Sequence, residues 1–150
     1  MFHVVLVEPE IPPNTGNIGR LCVAAGATLH LVHPLGFQIN DRELKRAGLD
    51  YWPHLALREW PNWDAFSAAC PAPERCFFLT TKASQSYLTQ RFEPGDYLVF
   101  GRETRGLPDG LLATNAERTL TIPLAPEARS LNLATAVGIV LYEARRQQSS

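Results

Sequence analysis

Three stretches of the chain concentrate residue types that can do chemistry. The first is Glu8-Pro9-Glu10-Ile11-Pro12-Pro13-Asn14-Thr15-Gly16-Asn17-Ile18-Gly19-Arg20. Two glycines inside a helix start cost roughly 1 kcal/mol each against alanine. The spacing predicts that a ligand or another chain approaches closely at Gly16 and Gly19. Asn17 and Arg20 stand three apart, so their side chains neighbour one another off the apolar stripe. An amide beside a guanidinium suits a hydroxyl or an anion, and a capped surface helix with a solvated arginine fits the same residues.

The second stretch, Gly101-Arg102-Glu103-Thr104-Arg105-Gly106-Leu107-Pro108, brackets a charged tip with glycines. A ligand can touch bare backbone at Gly101 while Glu103 and Arg105 stay available; a turn in which Glu103 pairs with a neighbouring arginine fits equally. Neither a Gly-Lys-Ser/Thr ending nor a GxGxxG run is present, which argues against a nucleotide P-loop and a dinucleotide fold. The third stretch, Pro123-Leu124-Ala125-Pro126-Glu127-Ala128-Arg129-Ser130-Leu131-Asn132, is proline-stiffened and delivers Ser130 and Asn132 to a helix start, where either can cap.

These loops need elements to hold them. Strand-length apolar runs recur at 4–7, 29–32, 76–80, 97–100 and 119–122, with helical patterns between them. The alternation predicts one α/β domain over residues 1–150, with a mostly parallel sheet and helices on both faces. The first helix follows Pro12-Pro13-Asn14, carries Ile18, Leu21, Cys22 and Ala25 inward and stops at Gly26. Others are expected over 41–47, 63–69 and 132–146, with 147–150 frayed. In open parallel sheets ligands bind beyond the carboxyl ends of the strands, where all three loops fall.

Composition narrows the classes. The chain is 45% hydrophobic and 19% charged, which describes a folded domain. Its apolar runs are too short for a membrane span, and the first residues read as a strand, not a signal peptide. A net charge of −1 does not announce a nucleic-acid binder, although a local basic face remains compatible with one. Three cysteines without a signal peptide suggest reduced thiols in the cytoplasm, and the spacing of Cys70 and Cys76 is not a zinc spacing.

Together the loops resemble the SPOUT superfamily of S-adenosylmethionine-dependent methyltransferases, over the whole chain. Asn14…Asn17…Arg20 is similar to its first motif, Gly101-x-Glu103-x-x-Gly106-Leu107-Pro108 to its second, and Ile122-Pro123…Ser130-Leu131-Asn132-Leu133 to its third. Glu8–Asn17 and Arg46-Ala47-Gly48-Leu49-Asp50-Tyr51 resemble the minimal branch that 2′-O-methylates the wobble nucleotide of tRNA. Two departures stand out: Ala134 and Ala136 replace serines found in many relatives, and Arg102 sits where a close relative may carry proline.

The resemblance implies a deep C-terminal trefoil knot, an exception to the usual unknotted topology. It implies donor contacts at Leu79, Thr80, Gly101, Ile122, Leu124, Ser130 and Leu131, with any side chain at Gly101 intruding on the pocket. Arg20 is implied to activate the ribose hydroxyl, with Asn17 and Glu103 in the same site; Glu103 or Asn132 is expected to orient Arg20 and the sugar. No metal is expected. The tRNA anticodon arm is expected to meet Arg42, Lys45, Arg46, Lys82, Arg102, Arg105, Asn132 and Tyr142, in a homodimer packed through the first and last helices. A helix face simply solvated at Arg42, Lys45 and Arg46 is the competing account. Methylation of another RNA such as rRNA, or a knotted RNA-binding module without turnover, are the competing functions.

Overall fold

The computed structural model describes residues 1–148. Its strands are β1 (His3–Val7), β2 (Thr28–Val32), β3 (Leu57–Trp60), β4 (Cys76–Leu79), β5 (Tyr97–Phe100) and β6 (Thr119–Leu120). They form a 6-stranded sheet in the order β3-β2-β1-β5-β4-β6. Every pairing is parallel. The helices are α1 (Pro12–Ala25), α2 (Arg42–Gly48), α3 (Trp63–Ala69), α4 (Asp109–Thr114) and α5 (Leu133–Gln148).

Strand alternation sorts the core into two layers. Val4, Leu6, Leu29, Leu31, Leu98 and Phe100 pack with Ile18 and Cys22 of α1 and with Val137, Val140 and Leu141 of α5. Val5, Val7, Val32, Phe78 and Val99 face the other way, against Phe66 of α3 and Leu112 of α4. Registers place Leu29, Val4 and Leu98 in one row across three strands. Each such fully buried side chain contributes roughly 1.5–3 kcal/mol. Among the described residues no helix is long and apolar enough to cross a membrane.

Several expectations need correction. β3 and α4 were not anticipated: β3 is an edge strand whose central Arg58 and Glu59 are exposed, so it lacks an apolar run. β4 stops at Leu79 and β6 at Leu120, earlier than the apolar runs suggest. The helix expected over 41–47 is Arg42–Gly48, because Asp41 caps it, its Oδ1 accepting from the N–H of Glu43 and Leu44. Residues Gln147 and Gln148 are not frayed. The Gln147 side chain accepts from Phe92 N (2.8 Å) and donates to Gln90 O (3.0 Å), and Gln148 donates to Phe92 O. Ser149 and Ser150, also in the expected tail, lie outside the described residues.

Close approach at Gly16 and Gly19 is real, but the visitor is this chain itself. A Cβ at Gly16 would sit 2.4 Å from Leu44 O, and one at Gly19 would sit 2.6 Å from the Trp52 ring. The glycines let α1 pack tightly on α2 and on the 3-10 helix Leu49–His54.

Candidate functional site

The loop after β1 and the loop after β5 are clasped together by reciprocal carboxylates. Helix α1 opens on Pro12 and Pro13, which have no N–H to leave unsatisfied. The remaining free donors at its start are the N–H groups of Glu10 and Ile11. Glu103 accepts both, at 2.8 and 2.9 Å. Its negative charge also lies at the positive end of a helix that has no acid of its own in the first turn. In return, Glu10 Oε1 accepts from Thr104 N (3.1 Å) and Thr104 Oγ1 (2.7 Å). Those bonds, helped by the nearby charges of Arg102 and Arg105, hold the Glu10 carboxyl below its usual range.

Asn14 joins the third loop to this clasp. Its Nδ2 donates to Glu103 Oε2 (3.3 Å), and its Oδ1 accepts from Asn132 Nδ2 (3.1 Å). Asn132 in turn caps α5, its Oδ1 accepting from Thr135 N. One buried amide thus binds the three chemistry-bearing stretches into a single unit. The sequence contained the signal: Asn14 occupies the same helical stripe as Ile18 and Cys22, and a polar group on a buried stripe requires partners.

Beyond the carboxyl ends of β4, β5 and β6 the loops that follow these strands enclose a cleft of about 390 Å³. Leu79, Thr80, Gly101, Ile122, Leu124, Ser130 and Leu131, the residues expected at the donor, all line it. Lys82, Arg102 and Arg105 line it too, as does Arg129, which sequence reasoning had not singled out. Lys82 is paired with Asp109 at 2.7 Å, which holds the Asp109 carboxyl low. Arg102 is ion-paired with Glu8, a residue in the left-handed region at φ 55°. A second cavity of about 470 Å³, lined by Trp63, Phe66 and Cys76 among others, lies on the other face of the sheet and includes none of the expected donor residues.

The reason for glycine at 101 differs from the expected one. A Cβ there would meet its own loop first, 2.1 Å from Gly106 C and 2.3 Å from Leu107 N. The glycine permits the tight turn in which Arg102 and Gly106 exchange two backbone hydrogen bonds. The pocket wall depends on that turn.

Glu103 and Asn132 do not orient Arg20: their side chains are engaged by Glu10, Ile11, Asn14 and Thr135. Nor does Glu103 pair with a neighbouring arginine. Asn17 and Arg20 are exposed on α1, outside the lining of the cleft, with the Arg20 guanidinium 5.2 Å from the Tyr51 ring centre. Arg42, Lys45 and Arg46 are exposed on α2 while Leu44 between them is buried. Tyr142 is exposed on α5, with the Arg145 guanidinium 5.4 Å from its ring centre. Among the described residues no group of three or more His, Cys, Asp or Glu side chains could hold a metal ion.

A parallel α/β sheet with a cleft built by the loops after β4, β5 and β6, and with the loop after β1 tied to them by Asn14, is the architecture of a class, and the family model identifies it. The chain belongs to the SpoU rRNA Methylase family, whose model matches residues 1–142. It is 52% identical over 149 residues to the tRNA (cytidine(34)-2′-O)-methyltransferase of Burkholderia pseudomallei (strain 1106a), covering 98% of this chain and 96% of that one. A solved structure described as giving structural insights into the 2-OH methylation of C/U34 on tRNA superposes with a TM-score of 0.94 at 50% identity, covering 99% of this chain and 96% of the other. An AdoMet-bound rRNA methyltransferase from Sinorhizobium meliloti is 32% identical with a TM-score of 0.88, covering 99% of this chain but 57% of its own.

Proposed function

We propose that this protein transfers a methyl group from S-adenosylmethionine to the ribose 2′-hydroxyl of the wobble nucleotide, cytidine or modified uridine, in cytoplasmic tRNA. The observation that carries the proposal is the cleft lined by the second and third motif loops, to which Asn14 ties the first through Glu103 and Asn132, together with the full-length likeness to enzymes named for this reaction. The cleft fits the donor. Its volume of about 390 Å³ suits a nucleoside-sized ligand, and Leu79, Ile122, Leu124 and Leu131 offer apolar walls. Main chain at Gly101 and the Ser130 hydroxyl supply polar contacts. When bound there, the donor supplies an electrophilic methyl group and leaves as S-adenosylhomocysteine.

The protein's own residues must present the acceptor. A ribose hydroxyl is a weak nucleophile until its proton is drawn away. Arg20 carries a guanidinium with N–H donors and no acceptor, so its part is to polarise that hydroxyl and hold an adjacent anion, with Asn17 beside it, while the hydroxyl proton leaves to water. Glu103 contributes by fixing the start of the helix that carries both. Alignment of hydroxyl and methyl supplies much of the rate.

The proposal includes a trefoil knot and a homodimer. The connection between β4 and β5 touches both what precedes and what ends the last segment: Tyr87 and Gln85 bond Thr121, while Gln90 and Phe92 bond Gln147. Such a loop around 121–148 supports threading, and an experimental chain trace running outside it would overturn the knot. The dimer would pack through α1 and α5, where Gly138 lies beside Leu21 and Tyr142 is exposed. Arg42, Lys45 and Arg46 would extend the RNA surface.

Transfer of labelled methyl from S-adenosylmethionine tests the reaction, using unmodified tRNA and rRNA fragments as acceptors. The expected product is 2′-O-methylation at the wobble position of tRNA alone. Methylation of rRNA instead, or donor binding with no transfer to either, would refute it.

A further inference from the structure

The cleft wall carries four cations, and the chain neutralises only some of them. Lys82 is bonded to Asp109 and Arg102 to Glu8. Arg129 is exposed in the loop after β6 and lines the cleft, and among the described residues no acid lies within salt-bridge distance of it. Arg105 is likewise exposed and among the described residues forms no ion pair of its own, though it lies near enough to Glu10 to lower that carboxyl. Two guanidinium groups from two different loops therefore line the cleft.

Exposed cations in the lining of the cleft have a chemical meaning for the proposed reaction. The accepting hydroxyl sits on a sugar joined to a phosphate on either side. Whichever base enters, those phosphates lie within a few ångströms of the reacting oxygen. Groups that hold them fix the register of the sugar without reading the base. Guanidinium suits the task because its planar fork can take two phosphate oxygens at once.

We propose that Arg129 is a positioning residue for the acceptor: together with Arg105 it grips a backbone phosphate next to the target ribose. The inference rests on the proposed 2′-O-methylation and adds a residue that the three motifs do not name. The position of Arg129 has a structural basis. Its loop is tied down at Thr121, which pairs with Gln85 and Tyr87, and at Asn132, which bonds Asn14. The same anchors hold the Ser130–Leu131 edge of the donor cleft, so a phosphate held by Arg129 keeps a fixed relation to the methyl donor.

The test uses the full chain with an unmodified tRNA transcript. Arg129→Gln is expected to weaken tRNA binding about tenfold and to make the slope of log affinity against log salt shallower by about 0.7, the single-strand value per phosphate contact. Arg129→Lys should recover most of the slope, but not the single-turnover methylation rate at saturating tRNA, because a point charge lacks the fork. Affinity for S-adenosylhomocysteine, read by calorimetry, should stay within twofold of wild type. An unchanged salt slope in Arg129→Gln would overturn the proposal. So would an equal loss in Arg91→Gln, an exposed arginine outside the cleft, which would show a diffuse charge effect. Weakened S-adenosylhomocysteine binding with normal binding of methylthioadenosine would instead assign Arg129 to the donor carboxylate. If the wild-type protein methylates tRNA and Arg129→Gln behaves as wild type, only this inference fails; if the wild type methylates no tRNA, the functional reading fails with it.

Discussion

Arg20 is the residue on which the proposed chemistry depends, and its setting makes a clean test possible. It is exposed, with its guanidinium over the Tyr51 ring, an interaction of about 0.5–1 kcal/mol at such a site. Arg20→Ala should therefore leave the fold and donor affinity intact while slowing single-turnover methyl transfer by ~100-fold or more, the usual scale for an acid–base or positioning group. Arg20→Lys should rescue only partly. A wild-type rate in Arg20→Ala at saturating tRNA would reduce the residue to a docking contact. His30 makes a different residue-scale prediction. It is buried in β2, bonded to His3 at 2.9 Å, and its Nδ1 accepts from the Trp60 indole at 3.0 Å. Burial, then the charges of His3 and Arg58, pushes its pKa down to about 4. The folded state thus keeps His30 neutral where the unfolded chain protonates it. Stability from this group is complete above about pH 6.5 and is lost as pH falls toward 4, by up to about 3 kcal/mol. Urea unfolding midpoints should drop over that window, and His30→Asn should flatten the drop.

At the scale of elements, two glycines govern how the site is built. Alanine is the better helix former at Gly16 by about 1 kcal/mol. Its Cβ would stand 2.4 Å from Leu44 O and 2.6 Å from Ala47 Cβ, and overpacking of that kind costs roughly 1–3 kcal/mol. The clash should win, so Gly16→Ala is expected to lower the unfolding free energy despite its propensity. At Gly101 the obstruction is the backbone of Gly106 and Leu107, which cannot rotate away as a side chain would. Gly101→Ala should open the Arg102–Gly106 turn and weaken S-adenosylhomocysteine binding by tenfold or more. Gly110→Ala, inside α4 with open space around it, is the control that should leave donor binding unchanged and raise stability by up to about 1 kcal/mol. Unchanged donor affinity in a folded Gly101→Ala protein would show that the turn does not build the donor site.

For the whole molecule, the proposed dimer would bring α1 and α5 against a second copy. Val137 and Leu141, on the apolar stripe of α5, are buried inside this chain. A dimer must instead use what lies outward on the two helices, including half-buried Leu21 and Ile139 and exposed Tyr142. Sedimentation at micromolar concentration should give a dimer, and Tyr142→Glu should shift it toward monomer without changing the unfolding of each chain. A wild-type monomer with full methylation activity would contradict the arrangement.

Much of this was written in local pattern. Runs of Val, Leu and Phe set most of the strands, and Gly26 set the end of α1, because strand burial and a left-handed cap each need particular residues in place. The loops that line the cleft were legible because glycine, proline and paired polar residues cluster where strands end, whereas the particular residues expected at the donor, Leu79 and Ile122 among them, came from the family resemblance. β3 was not legible, since an edge strand needs no continuous apolar run. Asn132 was legible as a cap of α5, but the task of Glu103 and the links from Asn14 to Glu103 and Asn132 were not. Their partners lie 89 to 118 residues away, as in Asn14–Glu103 and Asn14–Asn132, and only the folded backbone brings a helix without its own acid to the carboxylate that completes it. A short sequence window records what a residue can donate or accept; the tertiary structure decides which buried group has lost its water and must take that partner.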